Sequence, residues 1–332
     1  MRKLYLLLIV LLSTVAAPQV MGMRWIPQEI EGTLDIPAGA VLSFEEVARF
    51  DVPNANQGIA VDDLYFYAVN NTVITKHEKA TGVEVARWDP QDNPLIHLDS
   101  GAVIDGLLYC AHSNYSEWPM TSSIEVWDTE TMQHIGTHSF GIRWGSCTWI
   151  DRHDGYWWAT FANYNKMKSR PDPENPNGYD VMPGSGEKRI SVKAPYGYKR
   201  NTTMVQFDDN WKPIEAFILP DEILSTEKTS DMSNSGGSWG PDGYLYLSGH
   251  DLPEVFKVKL PEAGSILDLV ETVPLASVEN PQTIDELSIR GQGIAWDRSG
   301  EGVYLYGIIR VTDEEEAQGI SNKVTVSQLH WQ

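Results

Sequence analysis

Short alternations of apolar and polar residues, separated by Asp-Gly, Asn-Gly and proline-containing turns, run along most of the chain. Such alternation is typical of β-strands, whereas the spacing of an amphipathic helix is scarce. Five segments share one order: a small or glycine-rich start, an apolar strand, an acidic turn and an aromatic-rich strand. They cover residues 58–68, 101–111, 145–160, 236–247 and 293–307. The pattern predicts a repeated β-hairpin.

A second pair of strand-like runs follows each of the first four hairpins, at residues 75–88, 123–137, 204–219 and 255–273. Four antiparallel strands per repeat make a β-propeller blade. The fifth repeat offers one further strand, Lys323–Leu329, and Glu46–Asp51 resembles the outer strands of the other repeats. We therefore predict an all-β fold: a five-bladed β-propeller of four-stranded antiparallel blades, its ring closed by an N-terminal strand in the last blade. A sixth blade is the alternative, because the third repeat is long.

The N-terminus has the pattern of a signal peptide, predicted over residues 1–22. Arg2 and Lys3 precede an apolar run at residues 4–15, and small residues follow at 15–17. A membrane anchor is the alternative, although the apolar run is short for spanning a bilayer. Residues 23–44 are then an N-terminal extension, and 45–332 form one propeller domain with an insertion loop at 163–200. We expect a secreted or periplasmic protein without membrane association after signal cleavage.

The net charge excludes some classes of binding partner, and the two cysteines raise the question of a disulfide. The chain has 46 acidic and 25 basic residues, a formal net charge of −21, which argues against nucleic acid as a partner. It equally argues against electrostatic docking on anionic membranes. We expect a monomer that binds a small polar molecule or sugar. Cys110 and Cys147 fall in neighbouring repeats, and the sequence is compatible with either a disulfide or two buried thiols.

Polar residues cluster where strands enter and leave the predicted channel, and loops on a rigid scaffold commonly carry function. Asp99 and Ser235 are among the polar residues that precede inner strands. The predicted ligand-binding residues are Gln57, His97, His112, Trp144, Asn163, Asn234, Gln292 and Arg310. An alternative for the two glutamines is hydrogen bonding between neighbouring blades.

Gly249-His250-Asp251 supplies the predicted catalytic pair, because an adjacent aspartate can orient a histidine for base or metal-ligand duty. His250 is the predicted general base, oriented by Asp251. A polar turn is the alternative interpretation. No cofactor follows from the sequence, because His97, His112, His250 and Asp251 form no H-x-x-x-H motif with one another and the chain has no C-x-x-C motif. A divalent cation in the channel, Ca²⁺ or Zn²⁺, is left open.

Two families resemble this sequence. Residues 56–59, Asn-Gln-Gly-Ile, together with five blades and small-residue inner strands, look like the secreted glutaminyl cyclotransferase-type propellers. That family closes N-terminal glutamine into pyroglutamate with a glutamate at the start of its second blade, where this chain has Ser100-Gly101. The segments 57–63, 249–251, 292–297 and 306–308 are more similar to uncharacterised secreted propellers, loosely labelled cycloisomerase- or lactonase-like.

These observations predict an exported β-propeller whose polar channel pocket binds and transforms a small polar ligand by lyase, cyclase or lactone-type chemistry. The alternative is a non-catalytic carbohydrate- or peptide-binding propeller that uses the same mouth.

Overall fold

The structure is a computed structural model that describes most of the chain. It covers residues 34–37, 39–117, 119–164, 199–225, 232–250, 252–275, 289–299 and 302–332, and the backbone of 171–172 and 175–179. The predicted signal peptide, Asp251 and most of the predicted insertion loop lie outside the described residues. Among those described, no helix combines the length and the apolar character that a membrane span needs.

Apart from one two-stranded sheet, the described strands form four-stranded antiparallel sheets, and all but one of these take their four strands in chain order. Strand β1 (Leu42–Asp51) comes first. Blade 1 contains β2 (Gly58–Val61), β3 (Tyr65–Val69), β4 (Ile74–Glu78) and β5 (Glu84–Trp88). Blade 2 contains β6 (Leu98–Ile104), β7 (Leu107–Ser113), β8 (Ser122–Asp128) and β9 (Gln133–Gly141). Blade 3 contains β10 (Ser146–His153), β11 (Tyr156–Ala162), β14 (Thr203–Phe207) and β15 (Pro213–Ile218).

Blades 4 and 5 complete the ring. Blade 4 contains β16 (Gly236–Trp239), β17 (Leu245–Ser248), β18 (Glu254–Lys259) and β19 (Asp268–Pro274). Blade 5 contains β20 (Ile294–Asp297), β21 (Tyr304–Ile309), β22 (Lys323–Trp331) and β1. The five-bladed β-propeller predicted from the repeats is therefore confirmed.

Ring closure also follows the prediction. The outermost strand of blade 5 is β1, which pairs antiparallel with β22, for example Phe50 opposite Val324. It begins at Leu42, before the predicted domain start at residue 45. An ion pair adds a link between the first and last blades, because Lys79 Nζ lies 2.6 Å from Asp297 Oδ2 with both side chains largely buried.

The core lies between blades. Inner strands such as β20 are buried along their whole length, whereas the outer strand β1 alternates in exposure. Neighbouring blades pack on both faces of each inner strand, so its residues are apolar or small rather than alternating. Between blades 3 and 4, for example, Trp158 and Trp239 lie 5.2 Å apart by ring centroid. Cys110 and Cys147 are free thiols buried in this core, and burial raises the pKa of both.

The sequence does not predict a strand pair, a 3₁₀ helix at Lys199–Asn201 or an α-helix that the structure contains. Within the insertion, β12 (Pro171–Asp172) pairs with β13 (Asn175–Tyr179). A short helix, α1 (Asp313–Ala317), begins at a capping box in which Thr312 and Glu315 bond each other's backbone amides. Glu315 also binds Arg290 at 2.7 Å, so α1 anchors the segment that leads into the inner strand of blade 5.

Candidate functional site

The inner strands meet closely at one level of the channel. A Cβ atom on Gly58 would lie 2.5 Å from the backbone of Ser100, and one on Gly293 would lie 2.5 Å from the backbone of Gly58. Blades 1, 2 and 5 therefore reach backbone contact here, which only residues without a side chain allow. One cavity lies on each side of this level.

The mouth cavity, of about 420 Å³, lies where the chain enters the inner strands. Its walls bring together five of the predicted site residues: Gln57, His97, His250, Gln292 and Arg310. The remaining lining residues are Asn71, Ile96, Asp99, Tyr115, Ser116, Thr148, Tyr164, Met232 and Ser235. The distal cavity, of about 790 Å³, lies beside the turns that follow the inner strands and includes Asp62, Asp151 and Arg298.

Four predicted ligand-binding residues are not part of the described lining. Asn234 is buried and accepts the indole N–H of Trp149 at 2.7 Å. Asn163 is also buried and donates to the carbonyl of Asn201 at 3.0 Å. Trp144 packs against Phe161, with ring centroids 6.0 Å apart. The contacts of Asn163 and Trp144 lie within blade 3, and that of Asn234 joins blade 4 to blade 3, so all three support the strands behind the cavity.

His112, the fourth, lies behind the wall in a buried hydrogen-bond network. Glu125 is 1 % exposed and accepts bonds from the Ser123 hydroxyl at 2.6 Å and from His134 Nε2 at 2.8 Å. Since the single Ser123 proton goes to Glu125, His112 Nδ1 donates to Ser123, at 2.9 Å. His112 Nε2 then accepts from the Ile96 amide at 3.4 Å, which fixes the loop carrying His97.

His97 is held in one tautomer by two amide side chains. The Asn71 Oδ1 atom accepts from Gln57 Nε2 at 3.0 Å and from His97 Nδ1 at 2.7 Å. The Nε2 atom of His97 therefore carries the lone pair. Burial, together with His112 and the Arg310 cation, lowers the pKa of His97 to about 4. The imidazole is neutral at neutral pH and can accept a proton.

Asp99 faces this lone pair. Its Oδ2 atom lies 3.8 Å from His97 Nε2, and the residue is 3 % exposed. Burial raises the pKa of Asp99 well above its usual range, with one backbone amide, that of Ser100, opposing the shift. The acid form of the carboxyl is favoured because the ion would lose its hydration and gain few hydrogen bonds. A proton donor and a proton acceptor thus stand side by side.

Gln292 is under backbone strain. Its φ of 60° lies in the left-handed region, which is uncommon for residues other than glycine, asparagine and aspartate. Its backbone is held by blade 4, because its N–H donates to the Gly249 carbonyl at 3.0 Å and its carbonyl accepts from Ser248 Oγ. The side chain is 2 % exposed, and its Nε2 has no hydrogen-bond partner among the described residues.

Aromatic rings form the wall beside His97. The ring centroids of His97 and Tyr115 lie 5.1 Å apart, as do those of Tyr115 and Tyr164. Burial raises the pKa of both tyrosines, so their hydroxyls are neutral donors. Both tyrosines follow an asparagine directly after the second strand of a blade, Asn114-Tyr115 in blade 2 and Asn163-Tyr164 in blade 3, and this repeated dipeptide is the sequence signal that identifies them.

The described residues contain no group of three or more His, Cys, Asp or Glu side chains placed to hold a metal ion. With Asp251 outside the described residues, both the predicted His250–Asp251 pair and a channel cation stay predictions.

No family model and no curated protein sequence matches the chain. Among solved structures, the PQQ-bound aldose sugar dehydrogenase of Streptomyces coelicolor is 13 % identical at a TM-score of 0.48, covering 88 % of this chain and 99 % of that one. Hydrazine synthase of Kuenenia stuttgartiensis is 12 % identical at 0.40, covering 75 % and 79 %. The RRP9 WD40 repeats are 12 % identical at 0.40, covering 82 % and 79 %. Similarity at this level says nothing about the chemistry of this chain.

Proposed function

We propose that this protein is an exported enzyme that opens or closes a ring in a small polar molecule, by lactone- or cyclase-type chemistry, with His97 and Asp99 transferring the protons. The observation that carries the proposal is the pairing on the mouth-cavity wall of the His97 Nε2 lone pair with a buried carboxyl 3.8 Å away. Titratable groups whose environments push their pKa values apart are typical of acid–base sites.

The protons balance for opening of a lactone. His97 Nε2 takes a proton from water as the water oxygen bonds to the carbonyl carbon. The ring C–O bond breaks, and Asp99 gives its proton to the departing ring oxygen. The imidazolium and carboxylate that remain stand 3.8 Å apart, so a proton passes back from His97 to Asp99 and resets the site. Ring closure is the same sequence in reverse.

His97 and Asp99 suit this role better than surface groups because the neighbouring side chains fix them. Asn71 holds the imidazole in the required tautomer, and the Ser100 amide, 3.1 Å away, holds the carboxyl. Positioned proton transfer of this kind typically contributes 10²–10⁴-fold in rate.

A second candidate is a non-catalytic sugar-binding module. The continuous wall of His97, Tyr115 and Tyr164 rings favours it, because aromatic faces stack on the apolar faces of sugars. In that case the cavity binds and releases its ligand unchanged.

Turnover of a compound panel separates the two candidates. Purified protein is mixed with lactones, hydroxy acids, sugars and peptides with N-terminal glutamine, and products are followed by NMR. We expect turnover of at least one compound by the native protein and by the control variant His138→Gln, whose imidazole lies on the outer strand of blade 2. Asp99→Asn and His97→Gln should lose about 10²–10⁴-fold. Turnover that persists in both variants contradicts the proposed pair, and binding without turnover favours the second candidate.

A further inference from the structure

Arg310 brings a cation into the mouth cavity without a carboxylate to match it. It follows β21, and it lines the cavity near His97 and Tyr115. Its positive charge helps to lower the pKa of His97 and opposes the burial that raises the pKa of Tyr115. Two arginines elsewhere in the ring are paired, Arg290 with Glu315 and Arg298 with Asp151, at 2.7 and 2.6 Å. Among the described residues Arg310 has no such ion pair. In a chain of net charge −21, acidic residues are plentiful enough to make that omission informative.

A second unsatisfied donor lines the same cavity. The Gln292 side chain is 2 % exposed, and its Nε2 finds no acceptor among the described residues. An unpaired buried amide costs about 1–3 kcal/mol. Its backbone is also held in the left-handed region by contacts with blade 4. Strain and unmet hydrogen bonding that persist together are typical of ligand-binding positions.

The wall carries little negative charge to oppose an anion. Asp99 is the one carboxyl on the described lining, and burial favours its uncharged acid form. His97 is neutral. The lining therefore presents a guanidinium and an amide N–H, neither with an acceptor among the described residues, beside an uncharged acid–base pair.

We infer that the ligand of this site carries a carboxylate in addition to the group that reacts, and that Arg310 and Gln292 bind its oxygens. The identity of the reacting group rests on the proposed function, whereas the carboxylate contact is argued from Arg310 and Gln292 alone. One planar guanidinium matches a carboxylate through two parallel hydrogen bonds, and such charge-assisted bonds are roughly twice as strong as neutral ones. The substrate class is thus a small hydroxylated dicarboxylic acid or its monolactone, which keeps one free carboxylate.

Matched pairs of acids and amides test the inference. Lactate, glycerate and gluconate, each beside its neutral amide, are titrated into the full chain at pH 7 and followed by ligand-observed NMR. We expect at least one acid to bind about tenfold or more tightly than its amide. Arg310→Gln should remove this preference while leaving amide binding unchanged, and Arg310→Lys should retain part of it. Arg143→Gln, which removes an exposed arginine outside the cavity lining, is the control for net charge.

Gln292→Asn probes the second contact. Asparagine tolerates the left-handed backbone, so this variant withdraws the amide by one methylene without adding strain. We expect it to weaken acid binding by about threefold to tenfold. Equal affinity for acids and amides, no binding of either, or an acid preference that survives Arg310→Gln overturns the inference. Arg310-dependent binding of inorganic phosphate in preference to every acid also overturns it.

The two proposals fail separately. Turnover of a neutral lactone that is lost in Asp99→Asn would keep the proposed function even if no carboxylate preference exists. Carboxylate binding without any turnover would keep the inference and remove the enzyme.

Discussion

The two ends of the channel carry similar residue types but use them differently. At the distal cavity, buried Asp151 accepts from Arg298 at 2.6 Å, from the Trp239 amide at 2.8 Å and from Ser238 at 3.0 Å. Asp62 likewise accepts the Tyr67 hydroxyl at 2.6 Å. At the mouth cavity, Asp99 has one backbone donor and no cation in contact.

Whether the buried polar groups have partners distinguishes a structural cavity from a ligand-binding one better than cavity volume does. The distal cavity is the larger, yet the buried carboxylate of Asp151 is fully hydrogen-bonded there. Its donors include Arg298, Ser238 and the Trp239 amide. The smaller mouth cavity retains an unpaired amide and an unpaired guanidinium among the described residues. Buried polar groups in native proteins almost always have hydrogen-bond partners, and a bound ligand can supply those that the protein does not. We therefore expect the ligand at the mouth cavity.

Asp99→Asn should have the largest effect, a loss of activity of about 10²–10⁴-fold, because it removes the proton donor. The same substitution should stabilise the fold at neutral pH. The folded-state pKa of Asp99 lies above its unfolded value near 3.8, so its contribution to stability is complete below that value and is lost as pH rises. Urea unfolding at pH 7 and pH 3.5 measures this, with the variant's gain expected only at pH 7. Unchanged turnover would remove Asp99 from the chemistry.

Asp151→Asn, the same substitution at the other end, should act in the opposite direction. It removes the negative charge that Arg298 contacts. Arg298, Ser238 and the Trp239 amide then share one neutral amide oxygen as acceptor. Breaking a buried pair costs about 3–5 kcal/mol, and the lower value, about 3 kcal/mol, applies because Arg298 is 43 % exposed. Denaturant unfolding at pH 7 checks this. Ligand affinity at the mouth should not change in the folded protein, and a loss of affinity would couple the two ends.

His97→Gln should reduce the sensitivity of the fold to acid. The folded-state pKa of about 4 lies below the unfolded value of 6.5, so stability is present above pH 6.5 and is lost as pH falls toward 4. At pH 5 this loss is about 2 kcal/mol, at 1.36 kcal/mol per pKa unit. The variant should therefore lose about 2 kcal/mol less than the native protein between pH 7.5 and pH 5. Equal losses would show that His97 is charged in the folded state.

The fold was predictable because each blade repeats one order of strands and turns, and because Glu46–Asp51 resembles an outer strand without a blade of its own. The mouth was predictable from the positions that lead into the inner strands, which placed Gln57, His97 and Gln292 around one cavity. Helix α1 is not evident from the apolar pattern, because it has five residues and none of them is buried.

The chemistry within the mouth was less accessible from sequence. Asp99 was visible as a polar residue before an inner strand, but its pKa depends on burial, which pattern alone does not give. Asn163 and Asn234 have the same polarity as Gln57 and Gln292, yet their amides bond within their own blade or to the neighbouring one. Asn71, Tyr115 and Tyr164 lie in the loops that follow the second strands of blades 1, 2 and 3, but their approach to one cavity depends on the tertiary fold.

The repeated tripeptide Gln-Gly-Ile offers the finest comparison. Gln57 bonds Asn71 at 3.0 Å, whereas Gln292 has a φ of 60° and an unpaired amide among the described residues. Gln57→Gly should destabilise the fold by about 1 kcal/mol, because it removes a hydrogen bond and adds freedom to the unfolded chain. Gln292→Gly should stabilise it by about 0.5–1 kcal/mol, because relief of about 1–3 kcal/mol of strain exceeds the same entropic cost. Thermal and urea unfolding of both variants at pH 7 measure the two signs. Destabilisation by Gln292→Gly would mean that its side chain is satisfied within the protein, and the argument for a ligand acceptor would then rest on Arg310 alone.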